Sequence, residues 1–403
     1  MKKILVIHNS YRNLGGEDVA VSNEVEYLKK HFEVKVLYFD NFLKPKMYLS
    51  QLTSFIWNFN SQSIKKVHNE VNEFKPDIIY LHNTWFKISV GIFKYLKKHN
   101  IKTLIKIHNF RFICTKTFSH SKHLDGEKIC SACGLEYSKF RIFNKYFKNS
   151  YFKSFFMIVY GKEYIKVLKD SYFTLLVLTE FQRNYLLNIG VNPGNIFIHP
   201  NKILLEDSEP LEDSEPLEDS KPLEDSKPLE DSKPFILYAG RISSEKGVEE
   251  LIKTFLKTSP TTISLKIIGI GPLLKELKSM YNTQKNIEFL GELSNKDVLM
   301  LMKKATAVIT ATKLYEGQPT ILCEASSLGI PSIFPNTGGV KEFFPKNYKL
   351  MFNQFDYDDL LEKINLINNK ELMKSIGFEN RKYLIDYLND KKMVDLFYIH
   401  TNE

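Results

Sequence analysis

A chain of 403 residues is too long for one hydrophobic core and suits two domains of ordinary size. Its composition is globular, with 43% hydrophobic and 26% charged residues. Net charge is +9, yet residues 1–200 hold 30 Lys and Arg against 15 Asp and Glu, so the basic excess sits in the first half. The opening MKKILVIHNS turns polar too soon for a secretory signal, and no apolar stretch reaches the roughly 18 residues of a membrane span. These features predict a cytoplasmic protein with four reduced cysteines.

In chain order, Lys3 to Asn9 (KILVIHN) is a continuous apolar run, as expected of a parallel strand buried on both faces. Gly15 and Gly16 follow in a turn where a ligand could approach backbone, then Val19, Val21, Val25 and Leu28 on a helix. Strand-like runs recur at 34–39, 77–82, 103–108, 173–178 and 195–199 with helical segments between. That alternation predicts a doubly wound parallel sheet, whose ligands bind beyond the carboxyl ends of the strands. His82 and His108 fall at two such ends.

Cys114, Cys130 and Cys133 share one insertion. They offer three ligands of a tetrahedral zinc site with His120 or His123 as the fourth; ordinary thiols are the other reading. From Lys139 to Lys169 aromatics and lysines interleave, which suits a core-packed helix pair with a basic outer side, or a helix on an anionic membrane face. Thr179 opens a helix that Gly190 ends, and the first domain closes near Asn201.

Residues 205–234 are five copies of a six-residue unit, LEDSEP or LEDSKP. One Leu against three or four charges and a Pro is too little apolar surface to fold, so a disordered linker is expected. Beyond it, FILYAGRISSEKG places Gly240, Arg241 and Lys246 at a strand end, where cations suit a diphosphate leaving group. Gly269 and Gly271 mark another strand end.

The run Thr306 to Thr312 then leads into EGQPTILCEASSLGIPSIFPNTGGVKE, Glu316 to Glu342. Pro319 suits the first helical position, and the free amides near Thr320 and Ile321 favour an anion. Glu324 lies one turn beyond Thr320 on the same face. Glu316 would meet sugar hydroxyls, the amides a diphosphate, and Glu324 a ribose. The competing reading is an ordinary amphipathic helix with solvated glutamates.

The Glu-x7-Glu pair, with LGIPSIF, NTGGVKE and YAGRISSEKGV in order around it, resembles the retaining glycosyltransferases of family 4. The resemblance runs from KILVIHNS to about Arg381. It implies an α/β protein of the GT-B architecture, two Rossmann-like domains facing a cleft. Residues 1–201 would form the acceptor domain, 202–234 the linker, and 235–403 the nucleotide-sugar domain, with the last helices returning to the first. By this resemblance Glu316, Arg241, Lys246 and His108 are the catalytic group. The glycines at 15, 16, 240, 269, 271 and 317 join Gln318, Pro319, Thr320, Ile321 and Glu324 in binding the donor.

The implied reaction moves a sugar from a nucleoside-diphosphate sugar to a glycan or lipid-linked acceptor of a surface polysaccharide. It needs no cofactor; zinc at the cysteines would be structural. The basic first domain suits an anionic lipid or lipid-phosphate acceptor and peripheral membrane contact, and no nucleic-acid motif is recognisable. A nucleotide-sugar epimerase, which would need no second substrate, and a non-catalytic nucleotide-sugar-binding subunit are the alternatives with this architecture; the intact charged set argues against the binding subunit.

Overall fold

The computed structural model describes residues 1–10, 15–40, 51, 54, 56–85, 87–110, 130–132, 151–203, 234–258, 263–388 and 394–399. Cys114, His120, His123, Cys133, the 139–150 stretch and all of the hexad array except Pro234 lie outside these residues.

Six strands form the first sheet: β1 (Lys3–Ser10), β2 (Glu33–Asp40), β3 (Ile78–Leu81), β4 (Thr103–Ile107), β5 (Thr174–Val177) and β6 (Ile196–Ile198). They lie in the order β2-β1-β3-β4-β5-β6, with every pairing parallel. The unbroken apolar run of β1 follows from burial on both faces. Leu5 and Ile7 enter one core cluster while Ile4 and Val6 enter another, as the two-residue period of a strand requires. The second sheet contains β7 (Phe235–Ala239), β8 (Ser264–Ile268), β9 (Ile287–Gly291), β10 (Ala307–Ile309), β11 (Ser332–Asn336) and β12 (Met351–Asn353). Its order is β12-β11-β10-β7-β8-β9, again parallel throughout.

Four helices matter most for the cleft: α1 (Gly16–Leu28), α2 (Glu180–Asn188), α3 (Thr320–Ser327) and α4 (Lys370–Tyr387). Thr179 caps α2 by accepting the Gln182 amide at 3.2 Å, and Gly190 beyond it has φ +88°. The chain passes into the second core at Ile203 and comes back at its end. Val394 and Phe397 pack in the first domain's core, and Phe397 lies edge-on to Tyr80 at 5.1 Å.

Candidate active site

Glu316 lies in the loop between β10 and α3. Its Oε1 accepts from Lys246 Nζ at 2.5 Å and from Thr312 Oγ1 at 3.0 Å. Its carbonyl accepts the Gly339 amide at 2.9 Å. A Cβ on Gly338 would stand 2.3 Å from that same carbonyl, and Gly338 has φ +56°, so glycine is required where the NTGG turn supports the Glu316 loop. Helix α3 begins at Thr320, not at Pro319 as the sequence suggests: Pro319 is the N-cap, and the Leu322 and Cys323 amides both reach back to its carbonyl at 3.0 Å. That geometry leaves the Thr320 and Ile321 amides outside the helical ladder.

Lys246 ends a short 3-10 turn, Ser244–Lys246. Gly247 follows at φ +67°, where a Cβ would come within 2.0 Å of the Ala311 carbonyl. Close backbone approach at this point sets Lys246 beside Thr312 and Glu316. Arg241 is placed differently. Its side chain is 58% exposed at the rim and pairs with Glu245 at 3.5 Å. Gly269 and Gly271 have a packing reason to be glycine, because a Cβ would lie 1.9 Å from the Gly240 carbonyl and 2.2 Å from that of Ile242.

Glu324 sits one turn into α3. Its carboxylate has no hydrogen-bond or ion-pair partner among the described residues, and burial pushes its pKa up to about 7.

The first domain supplies the opposite wall. The Gly15 amide donates to Asp18 Oδ2 at 3.0 Å, while Asp18 Oδ1 meets His8 Nε2 at 2.9 Å. A Cβ on Gly16 would be 2.9 Å from Thr320 Oγ1, so the N-termini of α1 and α3 meet across the cleft and add their positive ends. Strands β3 and β4 are neighbours, which brings His82 and His108 together at their ends: His82 Nδ1 and His108 Nε2 are 2.9 Å apart. Burial above all, with the nearby Lys106 ammonium, holds both imidazoles well below their usual pKa. Beneath them Lys106 Nζ donates to Glu24 Oε1 at 2.8 Å and to the His199 carbonyl at 2.6 Å, and Tyr80 donates to Glu24 Oε2 at 2.7 Å. Sequence reasoning missed this network. Its one signal was a lysine inside the apolar strand TLIKIH.

Several contacts join the two walls. Gln318, grouped in the sequence with donor-binding residues, has its amide on the crossover segment instead. Oε1 accepts the Asn201 amide at 2.5 Å and Nε2 donates to the Asn201 carbonyl at 3.0 Å. Glu342 accepts the Glu180 and Phe181 amides at 2.7 and 2.9 Å, capping α2 from the other domain. A Cβ on Gly317 would be 2.9 Å from Leu178, so this glycine lets the Glu316 loop sit against the first domain. The Tyr315 amide donates to the Ser131 carbonyl at 2.6 Å, next to buried Cys130. Among the described residues no cluster of three His, Cys, Asp or Glu could hold a metal ion. The other two cysteines of the zinc expectation lie outside them.

This arrangement is that of a two-domain GT-B protein, with an anion-favouring cradle opposite a histidine pair. Residues 219–387 match the family model of glycosyl transferases, group 1, so the second half of the chain is similar to that family. Protein CapJ of Staphylococcus aureus is 26% identical over 181 residues, 41% of this chain and 44% of its own. A putative teichuronic acid biosynthesis glycosyltransferase, TuaC of Bacillus subtilis, is 29% identical over 140 residues, 34% of each chain. The chain thus spans less than half the length of these relatives. The crystal structure of Anabaena HepE in complex with UDP and glucose superposes with TM-score 0.66 at 13% identity, covering 99% of this chain and 98% of that one. Sucrose-phosphate synthase from Thermosynechococcus elongatus gives 0.71 at 14% identity, with the same coverage. At these identities the structures establish the fold.

Proposed function

We propose that this protein is a retaining glycosyltransferase that moves a sugar from a nucleoside-diphosphate sugar to a glycan or lipid-linked acceptor in surface polysaccharide synthesis. The observation that carries the reading is Glu316 held by Lys246 and Thr312, with Glu324, one turn into α3, having no partner among the described residues. Relatives in capsular and teichuronic acid synthesis support the same pathway class. HepE, which binds UDP and glucose, supports a nucleotide donor.

In this reading the diphosphate lies between the N-termini of α1 and α3. An ammonium has three protons, so Lys246 can keep Glu316 and still donate to a phosphate oxygen. Negative charge grows on the diphosphate as the sugar bond breaks, and Lys246, Arg241 and the amides stabilise it there. Glu316 accepts from sugar hydroxyls, and Glu324 accepts from the ribose. His108 faces the transferring sugar. The acceptor approaches over the basic first domain, which suits work at the cytoplasmic face of a membrane. No helix among the described residues is long and apolar enough to cross one.

The test is a panel of nucleotide-sugars screened for thermal stabilisation, followed by NMR assignment of the anomeric configuration in the product. A stabilising donor with retained configuration is expected. Inverted configuration would sink the retaining mechanism, and isomerisation of a donor without an acceptor would replace transfer with epimerisation.

A further inference from the structure

We infer that His82 is a positioning residue that fixes the tautomer of His108, so that His108 presents a bare Nδ1 to the cleft. His82 is 3% exposed, and its two nitrogens face different groups. Nδ1 is 2.9 Å from His108 Nε2. Nε2 makes no hydrogen bond among the described residues, and Glu24 Oε2 stands 3.9 Å from it. That carboxylate is an acceptor only, already holding the Tyr80 hydroxyl and the Lys106 ammonium. An N–H directed at it is attracted, whereas a lone pair in the same place is repelled, and dry surroundings enlarge the difference.

The proton of neutral His82 therefore sits on Nε2. Its Nδ1 is left as an acceptor, so His108 Nε2 must donate. Neutral His108 has one N–H, and this contact uses it. Burial and the neighbouring Lys106 charge hold His108 neutral. Its Nδ1 has no partner among the described residues, and its carbonyl lies 3.7 Å from where a Gly317 Cβ would be, at the Glu316 loop. The group that meets Nδ1 must then be a hydrogen-bond donor, a sugar hydroxyl or amide N–H. This consequence rests on the transferase reading; the tautomer does not.

The experiment is a long-range 1H–15N imidazole correlation spectrum of the full chain labelled at histidine. Assignments come from His108→Gln and His82→Phe. The expected wild-type spectrum shows His108 protonated at Nε2 and bare at Nδ1. His82→Phe keeps an aromatic ring but removes the acceptor. His108 should then become a tautomer mixture, and kcat/KM should fall about tenfold with the melting temperature little changed. A wild-type His108 protonated at Nδ1, or an unchanged tautomer in His82→Phe, overturns the inference. If that variant fails to fold, the wild-type spectrum decides alone. The predicted spectrum in a protein that turns over no donor would uphold the tautomer assignment and sink the transferase reading.

Discussion

The two walls of the cleft hold their charges in opposite ways. On the first-domain side Lys106, Glu24 and Tyr80 are nearly fully buried and satisfy one another. On the second-domain side Lys246 and Glu316 remain 29% and 25% exposed, Arg241 is at the rim, and Glu324 lacks a partner among the described residues. The buried trio is complete in itself. The second-domain groups keep donors and acceptors open. Lys106, Glu24 and Tyr80 should therefore act through folding, and the open groups of the second wall are the ones to test for binding and turnover.

The sharpest way to break this contrast is to remove one partner of the buried pair. Lys106→Met leaves Glu24 charged in the core, a loss of about 3–5 kcal/mol of stability. Urea unfolding should show it directly, and stability within 1 kcal/mol of wild type would mean the pair is not structural. The second wall should respond in the other currency. Glu316→Gln and Lys246→Ala each cost about 2–4 kcal/mol of transition-state stabilisation, roughly 30- to 1000-fold in kcat, with little change in unfolding. Near-normal turnover of Lys246→Ala at saturating donor would remove Lys246 from the leaving-group role.

The same contrast explains what the sequence disclosed. The runs of β1 and β4 and the spacing of Glu316 and Glu324 are local patterns, readable because strand burial and helical pitch leave periodic traces. Gly247 and Gly338 stand in recognisable motifs, but the reason each is glycine depends on a carbonyl far along the chain. Glu24 and Lys106 are 82 positions apart and meet only through helix α1 and strand order. Gln318 reads as a donor contact because its sequence neighbours match a donor-binding motif. Its bond to Asn201 depends on how the two domains meet, which no spacing encodes.

Contacts between the walls come next in size. Glu342→Ala removes two charge-assisted bonds to the α2 amides, and Gln318→Ala removes the pair to Asn201. Together they should weaken domain coupling by about 2–4 kcal/mol. Scanning calorimetry should show one cooperative transition in wild type separating into two in the double variant. An unaltered single transition would mean that other contacts, such as Phe397 in the first core, carry the coupling alone.

Glu324 gives the smallest effect and the most specific one. Burial raises its pKa from 4.5 to about 7, and no cation among the described residues opposes the shift. Between those pH values the native state keeps a proton that the unfolded chain has lost, so unliganded stability falls as pH rises through that window. Glu324→Gln should flatten this slope, leaving the variant relatively more stable than wild type at pH 8. Ribose hydroxyls donate to the ionised form, so donor binding should favour the carboxylate and pull its pKa down. The donor's KM should therefore improve as pH rises toward 7, by about 3- to 10-fold, while kcat at saturation changes little. In Glu324→Gln that pH dependence should vanish and KM should stay high. A variant with the wild-type KM profile would free Glu324 from the ribose and leave its burial as a packing feature of α3.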